Sequence, residues 1–326
     1  MVGKTTLVAV TGATGFVGGA VSRYLSAHPR FSVRIAVRGA FPDAGRAVEV
    51  VTIASIEPNA QWKAFVENAD VVVHAAARVH VMNDTSMNPE AEYFRINVAG
   101  TLNLAEQAAS AGVKRFIFIS SIKVNGEATA PNKPFIADQQ ANPSDPYGVS
   151  KAQAEQGLRL LAARTGMEVV IIRPVLVYGP GVKANFLNMM RWLDKGVPLP
   201  LGAIDNRRSL VALDNLVDLI ATCTWHPAAA NQTFLVSDGE DLSTTGLLRQ
   251  MAQALGKPGR LIPVPMWMLT SAAALLGKGR FSQRLCGSLQ VDITKTCTML
   301  DWTPPVTVKE AMIRTAGYYL EHKHDE

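Results

Sequence analysis

Short apolar runs rich in β-branched residues recur through the first half of the chain, separated by loops or helix-like stretches. The runs fall at 7–11, 33–37, 48–53, 71–75, 116–120 and 169–173, with helix-like stretches at 16–27, 61–67, 91–111 and 150–164. Parallel strands cannot be joined by a tight turn, because the chain must return across the sheet; a helix is the usual crossover. The runs are apolar throughout rather than at alternate positions, as in strands covered on both faces. The pattern predicts an α/β fold, a doubly wound parallel sheet with helices on both sides. Ligands in such sheets sit beyond the carboxyl ends of the strands, so functional residues are expected just after the runs.

Past Pro174 the pattern loosens into Gly- and Pro-rich loops, with helix-like stretches at 185–195, 214–224 and 244–254. Residues 1–175 read as the sheet-bearing domain and 176–326 mainly as a smaller α/β domain, with some chain from about 203–236 returning to the sheet. A length of 326 residues suits two units of roughly 150. With 48% hydrophobic and 18% charged residues, both cores can be filled and a disordered chain is excluded. The 32 basic and 27 acidic residues leave a net charge of +5 without a basic run, so no nucleic-acid partner is expected. Cys223, Cys286 and Cys297 are too few and too far apart for a disulfide framework or a zinc site. No metal is expected, and a reducing cytoplasm is the simplest setting. The start, MVGKTTLVAV, has no stretch long enough for a secretory signal. Its Gly3-Lys4-Thr5-Thr6 is not a P-loop, whose first glycine would fall before residue 1. The apolar segment 265–276 falls short of the roughly twenty residues that span a bilayer, which predicts a buried or lid helix first, contact with a membrane surface as the lesser alternative, and no membrane insertion.

The first run opens into Gly12-Ala13-Thr14-Gly15-Phe16-Val17-Gly18 and then a helix. Gly12 permits a tight turn, Gly15 lets backbone approach a pyrophosphate, and Gly18 allows close helix packing. The free N–H groups and positive end of the helix complete an anion site. A Rossmann-type dinucleotide site follows, with Phe16 and Val17 at the helix start. Arg38 stands near the end of the second run, where an acidic residue would bind a ribose hydroxyl. A cation there suits a 2′-phosphate, so the expected cofactor is NAD or NADP.

Tyr147 and Lys151 stand four apart at the start of a helix and so share a face. A nearby ammonium is expected to lower the phenol's pKa toward working pH, where proton transfer is most efficient. Ser121, in Ser120-Ser121-Ile122-Lys123-Val124-Asn125-Gly126, follows a strand and adds a hydroxyl.

In this order the glycine turn, Ser121, Tyr147 and Lys151 resemble the extended, sugar-nucleotide-modifying branch of the short-chain dehydrogenase/reductases, the NAD-dependent epimerases and dehydratases. The resemblance implies that Ser121, Tyr147 and Lys151 are catalytic, Ser121 orienting the reacting sugar oxygen and Lys151 also holding the nicotinamide ribose. It adds Ala75, Ala76, Ala77 and Asn97 to the cofactor contacts and leaves His74 structural. The segment Arg207-Arg208-Ser209-Leu210-Val211-Ala212-Leu213-Asp214 resembles the substrate-diphosphate segment, with Arg208 suited to bidentate phosphate contact. Lys123, Asn185 and Arg280 (or Arg284) are the further implied contacts to a UDP-sugar.

Ile122 and Lys123 stand where the 4,6-dehydratases carry an Asp-Glu pair, so no carboxylate base is at hand for dehydration. The Glu of the related decarboxylases is missing too, and Leu176 stands where some epimerases have Asn. Segments 77–84 and 121–127 are similar to UDP-N-acetylquinovosamine dehydrogenases, which implies reduction of UDP-4-keto-6-deoxy-N-acetylglucosamine in O-antigen synthesis. The expected activity is hydride transfer between NAD(P) and C4 of a UDP-sugar, that reduction first. The alternatives are a UDP-hexose 4-epimerase with tightly bound NAD and a non-catalytic dinucleotide sensor. The resemblance also implies a homodimer through the helices at 91–111 and 150–164.

Overall fold

Alternate residues of the strands feed two separate cores, one on each face of a single large sheet. Val8, Val10, Val71, Val73, Ile117, Ile119, Val170 and Ile172 fill one core, while Ala9, Val72, Phe116, Phe118, Val169 and Ile171 fill the other. This is the period-two consequence of apolar runs buried on both sides. The computed structural model describes residues 5–39, 48–79, 88–275 and 285–323.

The sheet order is β3-β2-β1-β4-β5-β6-β9, and every neighbouring pair is parallel. Its strands are β1 (Thr6–Thr11), β2 (Phe31–Val37), β3 (Val48–Thr52), β4 (Val71–His74), β5 (Arg115–Ile119), β6 (Glu168–Pro174) and β9 (Thr233–Val236). The order reverses between β1 and β4, and the crevice at such a switch point is where a ligand fits. The crossover helices are α1 (Phe16–Ser26), α2 (Lys63–Val66), α3 (Pro89–Tyr93), α4 (Thr101–Ser110) and α5 (Pro146–Thr165). Between α3 and α4 the segment Phe94–Gly100 winds as a π-helix, so 91–111 is not uniformly α-helical. Such a bulge turns one residue out of register and is frequent at functional sites; here it turns Asn97 inward.

The second half carries β7 (Leu176–Tyr178), α6 (Ala184–Asp194), β8 (Arg208–Ala212), α7 (Leu213–Trp225), β10 (Asp241–Leu242) and α8 (Thr244–Ala254). Further helices among the described residues are α9 (Met266–Leu275), α10 (Thr294–Leu300) and α11 (Val308–His322). Strands β10, β8 and β7 form a small sheet of their own with a third core. Strand β9 pairs in the main sheet and α7 packs in the core on one of its faces, whereas β8 pairs in the small sheet. Asp238, just after β9, joins the two sheets. Its Oδ1 accepts from Ala212 N and Asn215 Nδ2, both at 2.7 Å, and its Oδ2 from Tyr178 Oη at 2.9 Å.

Helix α9 departs from the expectation of a buried helix. Trp267 is 69% exposed and Leu275 89%, and Met266 and Met268 are exposed as well. Hydropathy marks the segment as apolar but does not supply neighbours to cover it.

Candidate active site

The glycine turn closes at the carboxyl end of β1 by a Gly15 N–H to Gly12 O bond of 2.8 Å. Gly12 adopts φ +72°, and a Cβ there would lie 2.8 Å from Ala76 N and 2.9 Å from Ala75 C. The turn and the small residues after β4 therefore lie in direct backbone contact, which places Ala75 and Ala76 beside Gly12 and Ala77 next in the chain. A Cβ on Gly18 would lie 2.3 Å from Gly12 O, so helix α1 packs against the turn closer than any other residue permits. Gly15 caps α1 without any side-chain acceptor, and no acid stands in its first turn. The first N–H groups of α1 therefore keep their donors for an anion, and the turn fits a dinucleotide pyrophosphate. Phe16 and Val17 begin this helix. Arg38, directly after β2, is exposed.

His74 ends β4 and is buried between two threonines. Its Nδ1 lies 2.7 Å from Thr11 Oγ1 and its Nε2 3.0 Å from Thr101 Oγ1. Burial, helped by the Lys151 charge, holds its pKa down at about 3, so it is a neutral hydrogen-bonding spacer. Thr11 Oγ1 also accepts from Ala76 N at 3.3 Å, which fixes the start of the alanine segment.

Asn97 is buried and both ends of its amide are used inside the protein. Oδ1 accepts from Arg78 N at 2.8 Å, and Nδ2 donates to Arg78 O and Ser150 Oγ, each at 3.0 Å. Ser150 Oγ in turn donates to Tyr147 O at 2.8 Å. Asn97 thus ties the loop after β4 to the first turn of α5.

Helix α5 starts at Pro146, with Asp145 as its cap; Oδ1 accepts from Gly148 N at 2.7 Å. Tyr147 and Lys151 thus both lie in the first two turns. Lys151 is buried, and its Nζ donates to Ile119 O at 2.7 Å and lies 4.2 Å from the centre of the Phe118 ring. That bond seats α5 on the end of β5, two residues before Ser121. Ser121 is half-buried and caps the short 3-10 turn Ile122–Val124, its Oγ accepting from Lys123 N at 3.3 Å. Tyr147 meets Tyr93 edge to face at 6.2 Å, and the Arg78 guanidinium lies 5.8 Å from the Tyr93 ring centre. The sequence assigns no role to Tyr93, nor to Arg78 within the 77–84 segment.

The electrostatics differ from the expected picture. Tyr147 has its pKa raised, first by burial and then by the charges of Asp145 and Tyr93. The ammonium of Lys151 donates to the Ile119 carbonyl and does not offset this rise. Burial also lowers the pKa of Lys151 to about 7, against the opposing pull of Glu155. Glu155, one turn further along α5, is buried in a network that sequence reasoning missed. Its Oε1 accepts from Ser120 Oγ at 2.6 Å and Arg173 Nε at 2.8 Å, and its Oε2 from Arg173 Nη2 at 2.6 Å and Arg159 Nη2 at 2.9 Å. Arg173 continues to Asn125 Oδ1 at 2.9 Å. The arginines and Ser120 hold the Glu155 carboxyl below its ordinary range despite its burial.

The expected substrate contacts do not all converge. The Lys123 ammonium is paired with Asp145 and Glu127, which makes it a staple across the α5 cap instead of a free cation in the cleft. Asn185 is exposed in the first turn of α6. Arg208 opens β8, half-buried, with Nη1 donating to Gly287 O at 3.0 Å. Arg280 and Arg284 lie outside the described residues.

A model of the NAD dependent epimerase/dehydratase family matches residues 8–237. The chain belongs to that family. A UDP-glucose 4-epimerase of Vibrio cholerae is 50% identical over 316 residues, covering 96% of this chain and 95% of that one. An N-acetyl-α-D-glucosaminyl-diphospho-ditrans,octacis-undecaprenol 4-epimerase of Escherichia coli O157:H7 is 27% identical, covering 84% of this chain and 85% of its own length. Among solved structures, UDP-glucuronic acid 4-epimerase from Bacillus cereus in complex with NAD superposes with a TM-score of 0.79 at 19% identity, over 97% and 99% of the two chains. UDP-glucose 4-epimerase with UDP-glucose from Thermotoga maritima gives 0.77 at 22% identity, over 98% and 100%. The chain is thus an enzyme of an NAD-dependent, nucleotide-sugar-modifying family, with the fold of those structures.

Proposed function

We propose that this enzyme oxidises and reduces C4 of a UDP-sugar, with Ser121, Tyr147 and Lys151 as its catalytic residues. The observation that supports the reading is the Lys151–Ile119 bond, which holds α5, the helix that carries Tyr147, to the end of β5, two residues before Ser121 and beside the strand next to the glycine turn's own. Bound NAD would supply the acceptor and donor of the C4 hydride. Gly12, Gly15 and Gly18 would hold its pyrophosphate, Ala75–Ala77 would lie along it, and Arg38 would flank its adenosine end. Ser121 would hydrogen-bond the C4 oxygen. With its raised pKa, Tyr147 is protonated as it stands and is ready as the acid; as the base it needs a positive neighbour. Lys151, four residues along the helix, would supply that charge while it keeps its proton, and Glu155 helps it keep it. Arg208 would take the diphosphate. The helices at 91–111 and 150–164 would pair two copies.

The 50% identity to a UDP-glucose 4-epimerase puts 4-epimerisation ahead of the 4-keto reduction expected from the sequence. The reduction stays as a second reading because Leu176, exposed on β7, replaces the asparagine of some epimerases. Two incubations separate them. Equilibration of UDP-glucose with its C4 epimer, with no free nucleotide consumed, supports the epimerase. Stoichiometric oxidation of NADH or NADPH by UDP-4-keto-6-deoxy-N-acetylglucosamine supports the reductase. Neither change in either incubation refutes both.

A further inference from the structure

No run of bases interrupts the sequence, yet its positive surplus is confined to one stretch. Residues 242–291 contain six Lys or Arg and no Asp or Glu, so the rest of the chain is net negative by one. The same stretch holds the exposed helix α9, whose sequence MWMLTSAAAL has no charge at all.

Helix α9 is anchored to the third core through Leu269, and its exposed side continues into neighbouring elements. Ile262 N donates to Leu199 O at 2.8 Å, and Val197 N donates to Trp192 O at 3.0 Å. Trp192, Val197, Ile262, Met266, Trp267 and Met268 are all exposed on these linked segments, with a tryptophan on each of two helices. Lys195 and Arg260, on the same segments, are exposed too. Asp194 lies nearby, but its carboxylate is tied to Lys257 and Lys323.

Apolar patches of this kind mark contact sites, and the charge selects the partner. In a two-fold pairing of copies the face would meet itself, opposing cation to cation with no carboxylate from the 242–291 stretch to offset them. Tryptophan is enriched where apolar and wet layers meet, and an anionic bilayer surface draws juxtaposed cations. At ten residues, α9 can lie in that surface without crossing it. Among the described residues no helix is long and apolar enough to cross a membrane.

We propose that this face docks the enzyme reversibly on a bilayer surface that contains anionic phospholipid, Trp267 and its neighbours entering at headgroup depth. The proposal does not depend on which C4 reaction the enzyme performs.

Sedimentation of the full-length protein with phosphatidylcholine vesicles, with and without phosphatidylglycerol, tests it. The expected result is binding to the phosphatidylglycerol vesicles, released by salt, with a blue shift in tryptophan emission. Trp267→Ser should lower the partition coefficient on the order of tenfold, and Arg260→Glu about fivefold per unit of charge changed. Both variants should keep wild-type melting and turnover in solution. Absence of binding to the phosphatidylglycerol vesicles at low salt overturns the proposal. So does binding that Trp267→Ser leaves intact, or a self-association of the wild type that this variant abolishes.

Discussion

Two regions of the molecule treat polarity in opposite ways. Around the reaction centre in the first half, polar and charged side chains go inside and are bonded there: Glu155 by Ser120, Arg159 and Arg173, Asn97 by Arg78 and Ser150, His74 by two threonines. In the second half, around α9, apolar side chains go outside. A buried, fully bonded polar group resists displacement, because moving it leaves partners unsatisfied. The first half thus holds a preorganised reaction centre. The face around α9 offers a surface that gains by being covered.

The sharpest way to break the contrast is at the reaction centre. Tyr147→Phe keeps the ring and its contact with Tyr93 but removes the proton carrier, so turnover should fall about a thousandfold with unchanged melting. Unchanged turnover would remove Tyr147 from the mechanism. Gly18→Ala is next: its Cβ would press on Gly12 O, and neither backbone can yield cheaply. Stability should fall by about 3 kcal/mol with loss of NAD binding, checked by chemical unfolding and dinucleotide titration. Wild-type NAD affinity in this variant would show that the turn is not the dinucleotide site.

Two further tests use protons. His74 has an ordinary pKa of 6.5 when unfolded and about 3 when folded. Below pH 6.5 the unfolded chain binds a proton that the native state refuses, so stability falls as pH drops toward 3. The loss at pH 5 is about 2 kcal/mol. Unfolding curves at pH 7 and 5 should show that difference, and His74→Phe should flatten it. A slope unaffected by the replacement would contradict the neutral, buried His74. Glu155→Gln removes the charge that supports the Lys151 ammonium. The alkaline limb of the kcat/KM profile should move to lower pH, with activity at pH 7 down on the order of tenfold. A fall that is equal at every pH would assign Glu155 a purely structural role. The smallest effect belongs to the other half: Trp267→Ser, at an exposed site, should change the melting temperature hardly at all.

The contrast also sorts what a reader of the sequence could see. The glycine turn, the parallel strands and the Tyr147–Lys151 spacing are visible because backbone geometry demands particular residues at particular intervals. The Glu155–Arg173 pair is not, since a Glu among Gln, Arg and Ala on a helix reads as solvated until the strand beneath it is known. Lys123 has the charge of a substrate contact, yet Asp145 and Glu127 claim it. The direction of the Tyr147 shift depends on where the Lys151 ammonium points, which four-residue spacing leaves open. For α9 the apolar sequence suggested burial, and only the placement of its neighbours reveals exposure.

Hydride transfer at C4 is tested most directly with UDP-glucose and UDP-N-acetylglucosamine deuterated at C4. Direct transfer predicts that the deuterium stays on carbon, appearing in the C4 epimer or in the reduced nicotinamide, with a slower turnover than unlabelled sugar. Deuterium washed into the solvent would mean that C4 loses a proton instead, and the roles assigned to Tyr147, Lys151 and Ser121 would fall with it.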